Sequence, residues 1–285
     1  MRPLACLALA LALCCGGSAL ESSLEQDAKR SETAPKATVV LVHGMGGFSK
    51  VEGVDYFWKV PALYRSLGAQ VFVPGTTTFA SVELRANQLK SQLDQLAGPL
   101  ILVAHSQGGL DARWLISKLG YGKRVKALVT IATPHHGSPV ADVALGLAPG
   151  PLVDATNVLI GVLGWSLDGA YEVTVQNMEH VFNRTVLDMP GVTYWSFSGR
   201  ASPFGVGSAN GWLHSPLLAT WTFLDADGLA SDGMVPEKSA HWGKFQGSVP
   251  ADHLGEVDQP LGYTPQFDAQ AFYRTLLQRF HDEGW

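Results

Sequence analysis

Short apolar and β-branched runs recur along the chain, each closing on a turn residue. Thr38 to Val42 ends at His43-Gly44, and Gln70 to Val73 ends at Pro74-Gly75. Pro99 to Ala104 leads to Ser106, Val125 to Ala132 leads to Pro134, and Val192 to Phe197 leads to Gly199. Runs of this length and composition predict buried strands. Between them lie helical stretches, such as Val82 to Leu96 with Leu89, Leu93 and Leu96 on one face. Strands that are apolar throughout and alternate with helices predict an α/β fold, with a parallel sheet covered on both faces. In such sheets ligands meet the carboxyl ends of the strands. The turns named above are therefore where chemistry is expected.

The N-terminus reads differently. Arg2 precedes an uninterrupted apolar run from Leu4 to Cys15, followed by small residues at Gly17 and Ala19. The run is too short for a membrane span and fits a cleavable export signal over residues 1–19. The protein is accordingly expected to be secreted. Residues 20–37 are polar and aperiodic, a flexible lead-in to a domain expected over 38–285. All three cysteines, Cys6, Cys14 and Cys15, fall inside the signal. The mature chain would have no disulfide and no cysteine nucleophile. The net charge of -5 gives no basic field for nucleic acid.

The sharpest motif is Ala104-His-Ser-Gln-Gly-Gly109. A strand runs directly into Ser106 and a helix follows. A serine on so tight a turn presents its hydroxyl above the sheet, provided that its neighbours are small. Ala104 and Gly108 meet that need. The backbone N–H of Gln107 is a candidate oxyanion donor, and Met45, in the glycine-rich His43-Gly-Met-Gly-Gly47 loop after the first strand, is the other. No Lys with Ser or Thr closes that loop, so a phosphate cradle does not fit.

In this kind of site the acid and then the base follow the serine along the chain. The residues alone leave the pair open. Asp232, at an Asp-Gly turn, competes with Asp225 and Asp227. His253, in a loop, competes with His241 and with His281 in the final helix.

Taken together, these motifs resemble the bacterial true lipases, secreted triacylglycerol lipases of family I. The matches also include Thr133-Pro-His-His-Gly-Ser138, Asp232-Gly-Met-Val235 with Ser239-Ala-His241 behind it, and His253-Leu-Gly-Glu-Val-Asp-Gln259. The likeness runs from about Val39 to near the C-terminus and is poor between about 140 and 225. It implies an α/β-hydrolase fold, a mostly parallel central sheet with helices on both faces and a helical lid insertion at about 139–180. By the same likeness Ser106, Asp232 and His253 form the triad, Met45 and Gln107 are the oxyanion donors, and His241 is structural. It further implies a lipid or ester substrate met at an interface, and a foldase chaperone during export.

One property of that family is not expected here. Its members hold calcium beside the catalytic histidine with two aspartates, one lying two residues after that histidine. Here that position is Gly255, and Met189 to Leu224 contains neither Asp nor Glu. A hard cation without carboxylates has a poor site, so no cofactor is expected. In the family the ion also steadies a cis peptide, which maps to Gln259-Pro260. Proline at that position is expected to take over the ion's role, because a cis bond before proline costs only about 0.5–1 kcal/mol.

Ala155 to Leu167 contains no charged residue. An all-round apolar helix is usually core. Position within the insertion favours a lid over an acyl pocket instead. Two other functions compete with lipid ester hydrolysis: a carboxylesterase or polyester depolymerase using the same triad, and a non-catalytic hydrolase-fold binding protein.

Overall fold

The computed structural model describes residues 34–47, 50–51, 54–147, 167–206, 210–259 and 264–285. Six strands form one sheet: β1 (Thr38–Val42), β2 (Val71–Phe72), β3 (Leu100–His105), β4 (Val125–Ile131), β5 (Thr193–Gly199) and β6 (Lys244–Val249). Their spatial order is β2-β1-β3-β4-β5-β6, and every pairing is parallel. The expected strands are present, with ends displaced by one or two residues. β6 was not expected from the sequence. Its Lys-Phe-Gln-Gly-Ser-Val run is polar, it lies at the sheet edge, and its register shifts between Phe245 and Ser248.

The pleat explains why the central strands are apolar throughout. Val39, Leu41, Ile101, Val103, Val129 and Trp195 face one side, where α1 (Val60–Ser66) and the final helix α6 (Ala269–Asp282) cover them. Val40, Val42, Leu100, Leu102 and Leu128 face the other, under α2 (Val82–Leu93) and α3 (Gly108–Lys118). Each buried leucine or valine contributes roughly 1.5–3 kcal/mol. Helix starts are fixed by side-chain caps: Ser81 accepts from Leu84 N at 3.3 Å, and Asp268 from Ala271 N at 2.9 Å. α2 ends at Leu93, short of the expected Leu96, because Leu96 N turns back to Leu93 O and Gly98 adopts φ 78°.

A third apolar cluster joins α4 (Pro139–Ala144) and α5 (Leu218–Ala226) to Met234 and Val235. It packs the loop after β5 against the sheet's carboxyl edge. The chain leaves β1 toward β2, then crosses back to β3, so the loops after β1 and β3 diverge. That topological switch point is where an open α/β sheet forms its crevice.

The expected signal at 1–19, most of the lead-in, nearly all of Ala155 to Leu167, and the Gln259-Pro260 bond lie outside the described residues. Among the described residues, no helix is long and apolar enough to cross a membrane.

Candidate active site

Ser106 follows β3 and has φ 53°, a left-handed conformation that a non-glycine residue adopts only under constraint. Its N–H donates to Ile131 O of the neighbouring strand, and its carbonyl accepts from Gly109 N and from Thr133 Oγ1 at 2.8 Å. The glycines around it have a steric cause. A Cβ on Gly108 would lie 2.6 Å from His43 O, and one on Gly44 would lie 2.7 Å from Ser106 Cβ. The turn at Ser106 and the loop after β1 therefore touch backbone to backbone.

His253 Nε2 lies 3.0 Å from Ser106 Oγ, and His253 Nδ1 lies 2.8 Å from Asp232 Oδ2. Since a carboxylate only accepts, Nδ1 carries the proton and Nε2 is left to accept from the serine hydroxyl. Asp232 is buried, and its other oxygen accepts from Met234 N and Val235 N, each at 2.7 Å. That pair of bonds is why the Asp-Gly-Met-Val turn closes on its own aspartate, with Gly233 at φ 93°. Asp232 O also accepts from His253 N at 3.0 Å.

The rival residues are elsewhere. Asp225 and Asp227 are exposed at the end of α5. His241 stacks on Phe245 at 3.7 Å between ring centres. His281 lies on α6, against Ala34 O. The Thr133 to Ser138 segment serves as a brace. Its His135 stacks on Trp242, beneath the guanidinium of Arg113, and Ser138 Oγ donates to Met234 O at 2.6 Å.

The loop carrying Met45 is held from below by Arg85. Its Nη2 donates to His43 O at 2.8 Å and Gly44 O at 3.2 Å, and its Nη1 to Thr77 O at 2.7 Å. His43 Nε2 accepts from Thr76 N at 3.2 Å, so Nδ1 carries the proton and donates to Gly44 O at 2.9 Å. Burial first, and then the Arg85 charge, hold His43 down to about 4. Met45 and Gln107 both line the pocket at Ser106. Among the described residues neither backbone N–H is spent on another hydrogen bond.

Behind Ser106, His253 and Asp232 lies a second hydrogen-bonded row that sequence reasoning did not identify. Tyr56 OH meets His105 Nδ1 at 2.7 Å, and His105 Nε2 meets Glu256 Oε2 at 2.9 Å. Glu256 Oε2 is also 3.9 Å from His253 Nδ1. Burial, then the charges of Asp232 and Asp252, push the Glu256 carboxyl well above its ordinary range. His105, His253 and Glu256 offer donor atoms within 4.8 Å of one another. Those of the histidines are already committed, to Glu256 and to Asp232.

The pocket over Ser106 takes apolar walls from Met45, Val173, Met234 and Val235. Residues 38–177 match the family model for palmitoyl protein thioesterase. The chain is 28% identical to a triacylglycerol lipase of Vibrio cholerae, over 88% of this chain and 90% of that one. It is 28% identical to triacylglycerol lipase 2 of Saccharomyces cerevisiae, over 78% and 67%. Among solved structures, a Bacillus licheniformis lipase in mature form superposes with TM-score 0.64 at 22% identity, over 86% of this chain and 92% of that one. The Staphylococcus hyicus lipase superposes with TM-score 0.66 at 16% identity, over 88% and 98%. The chain has the α/β-hydrolase fold of these lipases and is similar in sequence, at 28% identity over most of its length, to triacylglycerol lipases.

Proposed function

We propose that the protein hydrolyses lipid esters, triacylglycerols among them, through Ser106, His253 and Asp232 and a covalent acyl-enzyme. The observation that carries this reading is the 3.0 Å contact of Ser106 Oγ with His253 Nε2 at a strained turn beneath an apolar pocket. His253 Nε2 takes the hydroxyl proton as Oγ bonds to the ester carbonyl carbon. The developing oxyanion is received by the N–H groups of Met45 and Gln107. The imidazolium returns its proton to the leaving alcohol oxygen as the C–O bond breaks. Water then attacks the acyl-enzyme by the same route, releasing the fatty acid and Ser106. Asp232 holds the imidazole in its reactive tautomer and stabilises its charged form. Export through the N-terminal signal, and folding with a chaperone, belong to this proposal.

The palmitoyl protein thioesterase match over residues 38–177 supports a second reading, cleavage of long-chain acyl thioesters by the same residues. The two are separated by turnover of emulsified long-chain triglyceride against palmitoyl thioester, with dissolved short-chain nitrophenyl esters as reference. Triglyceride turnover that exceeds the other two supports the lipase reading. Preference for the thioester supports the second, and preference for the short ester makes the protein a carboxylesterase.

A further inference from the structure

The loop that bears His253 is gripped one residue earlier by a buried pair outside the triad. Asp252 is fully buried. Its Oδ2 accepts from both the backbone N–H and Nδ1 of His214, the latter at 2.8 Å, and its Oδ1 accepts from Gly255 N at 2.8 Å. His214 is itself buried and lies between the short strand Gly211–Trp212 and the turn Ser215–Leu217. His253 is thus tied on both sides: its own N–H reaches Asp232 O, and the preceding side chain is bolted to a segment 38 residues upstream. With the backbone fixed at these points, the imidazole is aimed at Ser106.

The same place fails as a calcium site. Such an ion requires six to eight oxygen ligands, carboxylates among them. Here Asp252 has both oxygens taken by N–H donors, the oxygens of Asp232 are held by His253, Met234 and Val235, and Oε2 of Glu256 is held by His105. Facing Asp252 is an imidazole whose Nδ1 carries a proton. Gly255 contributes only its backbone, and Met189 to Leu224 has no acidic residue.

We propose that His214 and Asp252 form a metal-free clasp that positions His253, so that the enzyme works without the divalent cation that the resemblance to the bacterial true lipases implies. The inference rests on the triad reading above. The Gln259-Pro260 peptide is not needed for it.

The test uses the full-length protein on a dissolved short-chain nitrophenyl ester. Dialysis against EDTA should leave kcat and melting temperature unchanged. His214→Leu removes the side-chain donor. It should lower kcat by about ten- to a hundredfold, the cost of a base displaced by about an ångström, with KM within about twofold. His214→Asn places an amide N–H where the imidazole Nδ1 stands and should restore kcat to within about threefold. If His214→Leu does not fold, Asp252→Asn replaces it, because an amide cannot accept all three donors, and the same loss of kcat is expected. Wild-type kcat in His214→Leu, equal losses in the Leu and Asn variants, or an EDTA loss reversed by calcium would each overturn the clasp. Persisting turnover in Ser106→Ala would instead remove the triad reading beneath it.

Discussion

Arg85 Nε donates to Asp111 Oδ2 at 2.8 Å, with both side chains excluded from water. The pair joins α2 to α3, the helix that follows Ser106. The remaining guanidinium nitrogens hold the carbonyls of His43, Gly44 and Thr77. One side chain therefore sets the distance between the loop bearing Met45 and the helix after Ser106. Burial pushes the Asp111 carboxyl up to about 7, and Arg85 offsets only part of that rise.

Arg85→Met should leave Asp111 and the carbonyls of His43 and Thr77 without their donor. Breaking a buried pair from one side costs about 3–5 kcal/mol, and activity should fall as the loop bearing Met45 loosens. Asp111→Asn should be milder, because an amide oxygen still accepts from Nε. Urea denaturation alongside kcat measures both. A stability loss below about 1 kcal/mol in Arg85→Met would contradict the bracing role.

The neutral histidines of the interior predict how stability depends on pH. His43 is held down to about 4, from a free value of 6.5. Between those values the unfolded chain binds a proton that the folded protein refuses. Stability is therefore full above about 6.5 and is lost as pH falls toward 4, by about 3 kcal/mol from this group. Burial lowers His105 and His135 in the same direction. His43→Asn keeps a donor for Gly44 O but cannot take up a proton. Unfolding free energies at pH 7 and pH 4.5 should show a shallower fall in this variant, and parallel slopes would count against the assignment.

Glu256 is buried and flanked by Asp232 and Asp252, so the neutral acid is its stable form. Glu256→Gln has nearly the same shape and no charge. It should keep kcat within about threefold and lose little stability. Glu256→Ala leaves His105 Nε2 without its partner and opens a cavity, and a loss of about 2–4 kcal/mol is expected. Thermal melts with kcat for both variants provide the check. A Gln variant as damaged as Ala would show that the carboxylate charge is required.

The sheet was legible because its central strands are buried on both faces and so read as continuous apolar runs. β6 was not, because an edge strand of Lys, Gln and Ser carries no such pattern. Ser106 and the Met45 loop announce themselves through glycines that the backbone contacts require. Asp232 and His253 were not separable from their neighbours by local pattern. Their selection depends on contacts across the fold, which the resemblance to lipases supplied. The braces were invisible for the same reason: Arg85 and Asp111 are 26 residues apart, His214 and Asp252 38, and His105 and Glu256 151. A buried charge or histidine looks like a surface one until its partner is known.

The central claim is that Ser106 attacks the ester. Its most direct test is intact-mass and peptide analysis after treatment with a fluorophosphonate. The expected result is one adduct per chain, on the peptide containing Ser106, with activity falling in proportion to labelling. In Ser106→Ala both the adduct and the hydrolysis should vanish, while the melting temperature stays near that of the wild type. Hydrolysis persisting in a folded Ser106→Ala, or an adduct on another residue that accounts for the lost activity, would contradict it.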